Sequence, residues 1–110
     1  LAHNVEIGAN TVIASQTGIS GSSKIGENSI IGGQVGIVGH VTIAKNSHIQ
    51  AKAGINRSIE EEGKKWAGAP ATQYSTHMRA QVVFQRLPEL EKELRELQHQ
   101  INSFSQRESE

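Results

Sequence analysis

LAHNVEIGANTVIASQTGISGSSKIGENSIIGGQVGIVGHVTIAKNSHIQAKAGI (1–55) places an aliphatic residue at every sixth position: Leu1, Ile7, Ile13, Ile19, Ile25, Ile31, Ile37, Ile43, Ile49 and Ile55. The repeat never slips. A period of six is neither the 3.6 of a helix nor the two of a plain strand, and internal repeats of this length mark a parallel β-helix. The residue after each aliphatic is mostly small (Ala2, Gly8, Ala14, Ser20, Gly26, Gly32, Ala44). The residue two before it is Val5, Thr11, Thr17, Ser23, Ser29, Val35, Val41, Ser47 or Ala53. Both sets suit a narrow interior. The pattern predicts short strands joined by sharp corners eased by Gly, Ala or Asn, with each Ile pointing inward onto its equivalent in the next turn.

The rest of the composition sets limits. In 110 residues, 35% hydrophobic with two Phe, one Trp and one Tyr, there is no material for a large globular core. Aliphatic columns, ladder hydrogen bonds and a partner subunit must share the work, so self-association is expected. Formal net charge is zero and no block of Lys or Arg occurs, which argues against nucleic acid and anionic membrane as partners. The absence of Cys removes disulfides, thiolate nucleophiles and Cys-ligated zinc. Every acidic residue is Glu, so a Ser-His-Asp arrangement is excluded within this chain. No apolar run is long enough to span a membrane and no signal-peptide pattern opens the chain, so a cytoplasmic location is expected. Leu1 is already in register with the repeats, from which a chain starting in mid-solenoid, with its N-terminal part missing, is expected.

After Ile55 the repeat breaks down. Ser58–Lys65 (SIEEEGKK) reads as a charged loop, Glu60, Glu61 and Glu62 being a solvated run rather than a metal or acid-base cluster. WAGAPA (66–71) reads as turn sequence, with Trp66 as a lid over the Ile column rather than a ligand platform. From Thr72 or Ser75 the pattern turns helical, through Tyr74, Met78, Val82, Val83 and Phe84. Pro88 interrupts it and suits the first turn of a second helix. Leu87, Leu90, Leu94, Leu97, Ile101 and Phe104 then recur at spacings of three and four, a seam that fits either a coiled coil or packing on neighbouring helices. Glu91 and Arg95 support this helix at i,i+4. Ser103 onward reads as a frayed polar tail. The expected organisation is 1–57 solenoid, 58–71 loop and cap, and 72–110 helices.

The family resemblance given below implies three hexads to a coil, and on that count Gly21 is the neighbour of His3 along the solenoid, and Gly39 follows one coil later with His40 beside it. Such an edge has the parts for acyl transfer to an amine. A neutral imidazole takes the proton of the attacking amine, and a Gly N–H, unshielded by a Cβ, approaches the oxyanion formed on a thioester carbonyl. Zinc is the rival use of histidine, but His3 and His40 would stand about 10 Å apart by the strand spacing, too far to share an ion. His48, His77 and His99 read as surface residues.

The hexads, with LAHN (1–4), QTGISGSSKIG (16–26), IIGGQVGIVGHVTI (30–43) and KWAGAPA (65–71), closely resemble the C-terminal half of the UDP-3-O-(3-hydroxyacyl)glucosamine N-acyltransferases of lipid A synthesis. The likeness runs over nearly the whole chain, including LPEL and the closing helices. It implies a mainly β fold, a left-handed parallel β-helix followed by a C-terminal α-helical extension. It also implies a homotrimer with sites between subunits. The implied donor is an (R)-3-hydroxyacyl thioester on acyl carrier protein, carried on phosphopantetheine, with no further cofactor and no metal. The implied acceptor is the 2-amine of a UDP-linked 3-O-acylated glucosamine. The family's general base falls on His3, its oxyanion-stabilising amide on Gly21 and its second active-site histidine on His40. Gly39 and Arg57 fall at positions near the carrier protein and its pantetheine arm. The family's uridine-binding domain and early coils are absent from this sequence, and so is the carboxylate expected to orient the base. The alternatives are the sister O-acyltransferase acting on UDP-N-acetylglucosamine, another hexapeptide acyltransferase or, outside that class, a trimeric scaffold or zinc hydratase.

Overall fold

The computed structural model describes residues 1–109; position 110, the last of the expected helical segment, lies outside them. Nine two-residue strands open the chain: β1 (Glu6–Ile7), β2 (Val12–Ile13), β3 (Gly18–Ile19), β4 (Lys24–Ile25), β5 (Ile30–Ile31), β6 (Gly36–Ile37), β7 (Thr42–Ile43), β8 (His48–Ile49) and β9 (Gly54–Ile55). They are followed by β10 (Lys65–Ala67), β11 (Thr72–Gln73), α1 (Tyr74–Gln85) and α2 (Leu87–Ser109). The chain forms two compact units, Leu1–His77 and Met78–Glu110.

Each strand ends on the Ile of its hexad and pairs in parallel with the strand three hexads later. Ile7 lies beside Ile25 and Ile25 beside Ile43; Ile13–Ile31–Ile49 and Ile19–Ile37–Ile55 form the other two columns. One coil therefore takes eighteen residues and three faces, β1-β4-β7, β2-β5-β8 and β3-β6-β9. The Ile side chains fill the interior, fully buried from Ile19 onward. In the first coil, where the column has a neighbour on one side only within this chain, Ile7 is 36% and Leu1 80% exposed.

Most small polar residues of the interior are satisfied on the coil, whereas the buried Ser29 hydroxyl has no partner among the described residues. Thr11, Thr17 and Ser23 hydroxyls donate to the carbonyls of Gly26, Gly32 and Val38 at 3.2, 2.8 and 2.8 Å, which removes most of the cost of burying them.

The corners differ from expectation in their chemistry. The left-handed backbone at every corner is held by Asn4, Asn10, Gln16, Ser22, Asn28, Gln34, His40, Asn46 and Lys52, with φ of 57–63°, and by no glycine of the hexads. The conformation is steric strain for a side chain, least for Asn. From Ser22 onward it is compensated because the N–H of each corner residue bonds a carbonyl of the preceding coil, as Asn28 to Ala9 at 2.9 Å and Asn46 to Glu27 at 2.9 Å. Glycine is used for closeness instead: an added Cβ at Gly8, Gly26 or Gly32 would stand 2.4–2.6 Å from a backbone nitrogen one coil away.

Past Ile55 the columns continue although the hexads do not. Ile59 bridges Ile43, two residues short of the eighteen-residue spacing, and Trp66 on β10 pairs in parallel with Ile49, one residue short. Both are buried. The Ile59 N–H donates to the Thr42 carbonyl at 2.9 Å and the Gln50 N–H to the Trp66 carbonyl at 2.9 Å. The stretch read as loop and lid is thus a fourth, shortened coil, and Trp66 occupies a rung of the column. A cut corner brings Ile59 into register early, and the charged run Glu60–Lys64 takes up the slack. β11 turns back antiparallel on β10, Trp66 facing Gln73.

In the helical unit α2 extends to Ser109, so the polar tail is helical where fraying was expected. No Gly or Pro interrupts the stretch from Ser103 to Ser109, and the Ser109 hydroxyl donates back to the carbonyls of Ser105 and Gln106 at 3.2 and 3.0 Å. Pro88 sits in its first turn, where a missing N–H costs nothing. No helix among the described residues is long and apolar enough to cross a membrane.

Candidate active site

The corner between the β3-β6-β9 face and the β1-β4-β7 face carries His3, Gly21, Gly39 and, in the shortened coil, Arg57. The ladder brings the first three into line. The Ala2 N–H donates to the Ile19 carbonyl at 3.1 Å and the Ser22 N–H to the His3 carbonyl at 3.0 Å. One coil on, the His40 N–H donates to the Gly21 carbonyl at 3.0 Å. A Cβ built on Gly21 would meet the His3 carbonyl oxygen at 3.2 Å, and one on Gly39 would meet the Gly21 carbonyl oxygen at 3.1 Å. His3, Gly21 and Gly39 are therefore direct neighbours along one edge, successive coils being about 4.8 Å apart.

The same ladder leaves one donor over at each coil. The carbonyl of Gly21 is taken by His40, while the Gly21 N–H donates to no backbone carbonyl among the described residues. With no Cβ beside it, this N–H is open to a ligand oxygen. His40 occupies the left-handed corner position, φ 62°, so its ring is carried on a backbone anchored to Gly21 itself. His3 and His40 are both exposed in the single chain, and the edge presents them to whatever lies against it.

Arg57, on the same corner of the shortened coil, is joined to the other three by no backbone hydrogen bond among the described residues. It lines a cavity of about 400 Å³ under the shortened coil together with Asn56, Glu60, Glu61 and Trp66. The indole Nε1 of Trp66 is buried without a hydrogen-bond partner among the described residues. Of the remaining histidines, His48 Nε2 lies 3.4 Å from the Gln50 side-chain nitrogen on the β2-β5-β8 face, and His77 packs its ring against Gly68.

One feature of the site went unread in the sequence. Gly18, Gly36 and Gly54 line an open groove of about 760 Å³ on the β3-β6-β9 face, flanked by Ser20, Val38 and Pro70. Ser20 and Val38 immediately precede Gly21 and Gly39, so the groove runs alongside the histidine edge. Nothing lies within 4 Å of a Cβ built on Gly18 or Gly36; these glycines keep the face flat rather than relieve a clash. The signal was present as glycine at eighteen-residue intervals just before Ile, masked by the equally numerous glycines that follow Ile at positions 8, 26 and 32.

Comparison with known proteins places this arrangement. Residues 22–57 match the family of the bacterial transferase hexapeptide (six repeats). The chain is 59% identical over 105 residues to a UDP-3-O-acylglucosamine N-acyltransferase of Cytophaga hutchinsonii, covering 96% of this chain and 30% of that protein. It is 59% identical over 103 residues to the protein of the same name from Christiangramia forsetii, with 94% and 30% covered. For one from Neisseria gonorrhoeae the figures are 58% over 103 residues, with 93% and 30% covered. The chain thus spans about 30% of the length of the curated relatives it matches. On its repeats and on these likenesses together, the chain carries hexapeptide repeats of the bacterial transferase type over residues 22–57 and is similar, over nearly all its residues, to UDP-3-O-acylglucosamine N-acyltransferases.

Proposed function

We propose that this chain is the C-terminal part of an N-acyltransferase of lipid A synthesis, which moves an (R)-3-hydroxyacyl group from acyl carrier protein to the 2-amine of UDP-3-O-acylglucosamine. The observation that carries the reading is the placement of His3 directly against Gly21, in a chain 59% identical to relatives bearing that name.

In this reading the acceptor amine attacks the thioester carbonyl directly. His3 takes the proton from the amine nitrogen, the C–N bond forms, and the Gly21 N–H donates to the carbonyl oxygen as it becomes an oxyanion. Collapse breaks the C–S bond, and the proton held on His3 passes to the departing phosphopantetheine sulfur. No covalent enzyme intermediate is needed. His40, anchored to Gly21, supplies a second donor at the same edge. The groove over Gly18, Gly36 and Gly54 offers an apolar bed for the acyl-pantetheine chain, and Gly39 and Arg57 lie toward the carrier protein. A homotrimer, in which a neighbour covers the exposed edge, and a cytoplasmic location complete the proposal.

The test is acyl transfer from hydroxyacyl carrier protein by the intact parent protein, with UDP-3-O-acylglucosamine and UDP-N-acetylglucosamine as competing acceptors. Transfer to the amine that is lost in His3→Ala supports the reading; full activity of that variant removes the mechanism.

A further inference from the structure

The loop of the β10–β11 hairpin, residues 68–71, bounds the glycine groove at one end. β9 is the last strand of its face, and the loop takes up the edge that β9 leaves free. The Gly54 N–H donates to the Gly68 carbonyl at 2.9 Å and the Ala71 N–H to the Gly54 carbonyl at 2.8 Å. A Cβ built on Gly54 would stand 3.3 Å from the Ala69 Cβ, whereas one on Gly18 or Gly36 would meet nothing within 4 Å. Of the three glycines of the floor, Gly54 alone has a wall beside it, made by Ala69 with Pro70 next to it.

Both hydrogen bonds run to one residue, so they hold the loop along β9 while leaving it a hinge about that edge. A second support comes from the first turn of α1. Gly68 has φ 93°, and the space a side chain there would take is filled by the half-buried His77 ring, whose Nδ1 and Cε1 would lie 2.7 and 3.0 Å from a Cβ built on Gly68. Gly68 is required on both counts: its backbone suits glycine, and any Cβ would displace the ring. His77 itself does not line the groove.

We infer that His77 is a positioning residue for the acyl donor: its ring braces Gly68 and so sets where Ala69 and Pro70 meet the acyl-pantetheine chain. The role is one of shape, not of proton transfer. A gap of about 0.5–1 Å at such a wall forfeits about a quarter to a half of each van der Waals contact, so a loosened brace weakens the hold on the chain. The inference rests on the proposed acyl transfer for the identity of what fills the groove.

Steady-state kinetics of the intact parent protein, with hydroxyacyl carrier protein as donor and UDP-3-O-acylglucosamine as acceptor, test it. His77→Ala is expected to raise KM for the donor by about fivefold to tenfold, with kcat and KM for the acceptor within about twofold of wild type, the pattern of binding lost equally from ground and transition states. His77→Phe, which keeps a flat ring in the same space, should restore the donor KM. Should the alanine variant not fold, His77→Leu, which keeps bulk but no ring, takes its place with the same expected direction. A donor KM that does not move overturns the inference. So does a fall in kcat that tracks a lowered melting temperature with both KM values unchanged, and so does failure of His77→Phe to restore the donor KM. A wild-type parent protein that transfers no acyl group sinks the acyl-transfer reading and this role with it, whereas an active wild type with an unmoved donor KM in the variant sinks the role of His77 alone.

Discussion

Trp66 pairs with Ile49 as a parallel strand neighbour, taking the place in the column that an eighteenth-residue Ile would have filled. The aromatic ring is therefore the last rung over one column of the solenoid, and its burial is part of the core that closes the coil. Replacing it with alanine is expected to cost about 3–5 kcal/mol, the usual range for emptying a buried aromatic site. Denaturant unfolding followed by circular dichroism measures this; a loss near zero would mean the indole is a dispensable cover.

Two glycines that each adjoin a column Ile, Gly26 after Ile25 and Gly36 before Ile37, should respond in opposite ways. A Cβ on Gly26 would stand 2.4 Å from the Lys45 backbone nitrogen, whereas nothing lies within 4 Å of one on Gly36. Gly26→Ala is expected to destabilise by about 1–3 kcal/mol or more through backbone displacement. Gly36→Ala should be neutral or stabilise by about 0.4–1 kcal/mol through the unfolded chain. Melting temperatures of the two variants, compared in one buffer, check the contrast.

Asn28 stands at a corner with φ 57°. Asn28→Val should cost about 1–2 kcal/mol, the penalty of a branched side chain in the left-handed region, while Asn28→Gly should cost little. Equal losses in both variants would show that the Asn side chain, not the backbone, is what the corner requires.

In the intact parent protein, His3→Ala is expected to lower acyl transfer by about 10²–10⁴-fold, the worth of a positioned general base. Its melting behaviour should stay unchanged, since the His3 side chain is exposed and only its carbonyl holds the ladder. Steady-state rates with both variant and wild type, at saturating carrier protein, decide it.

Gly36→Val adds bulk to the groove floor without touching the core, so the fold should hold while acyl transfer by the parent protein falls by about tenfold or more from a misplaced chain. Retained activity would show that the groove is not the acyl-pantetheine bed.

The period of six, read from Leu1 to Ile55, determined the β-helix and its inward Ile columns. The alignment of His3 with Gly21 needed also the three hexads per coil that the family resemblance implied and the strand register shows, because a stacked repeat converts spacing in the chain into spacing in space only once the length of a coil is known. That conversion fails wherever the count is broken. Ile59 and Trp66 look like loop residues in the sequence, and only the ladder shows that a shortened corner returns them to their columns. The glycines are ambiguous for a related reason. Composition alone does not say whether a missing Cβ serves a left-handed turn, a close coil-to-coil approach or an open groove, and each answer depends on what the next coil places beside it. Tertiary structure assigned the turns to Asn, Gln, Ser, His and Lys, the close approach to Gly8, Gly26 and Gly32, and the groove to Gly18, Gly36 and Gly54.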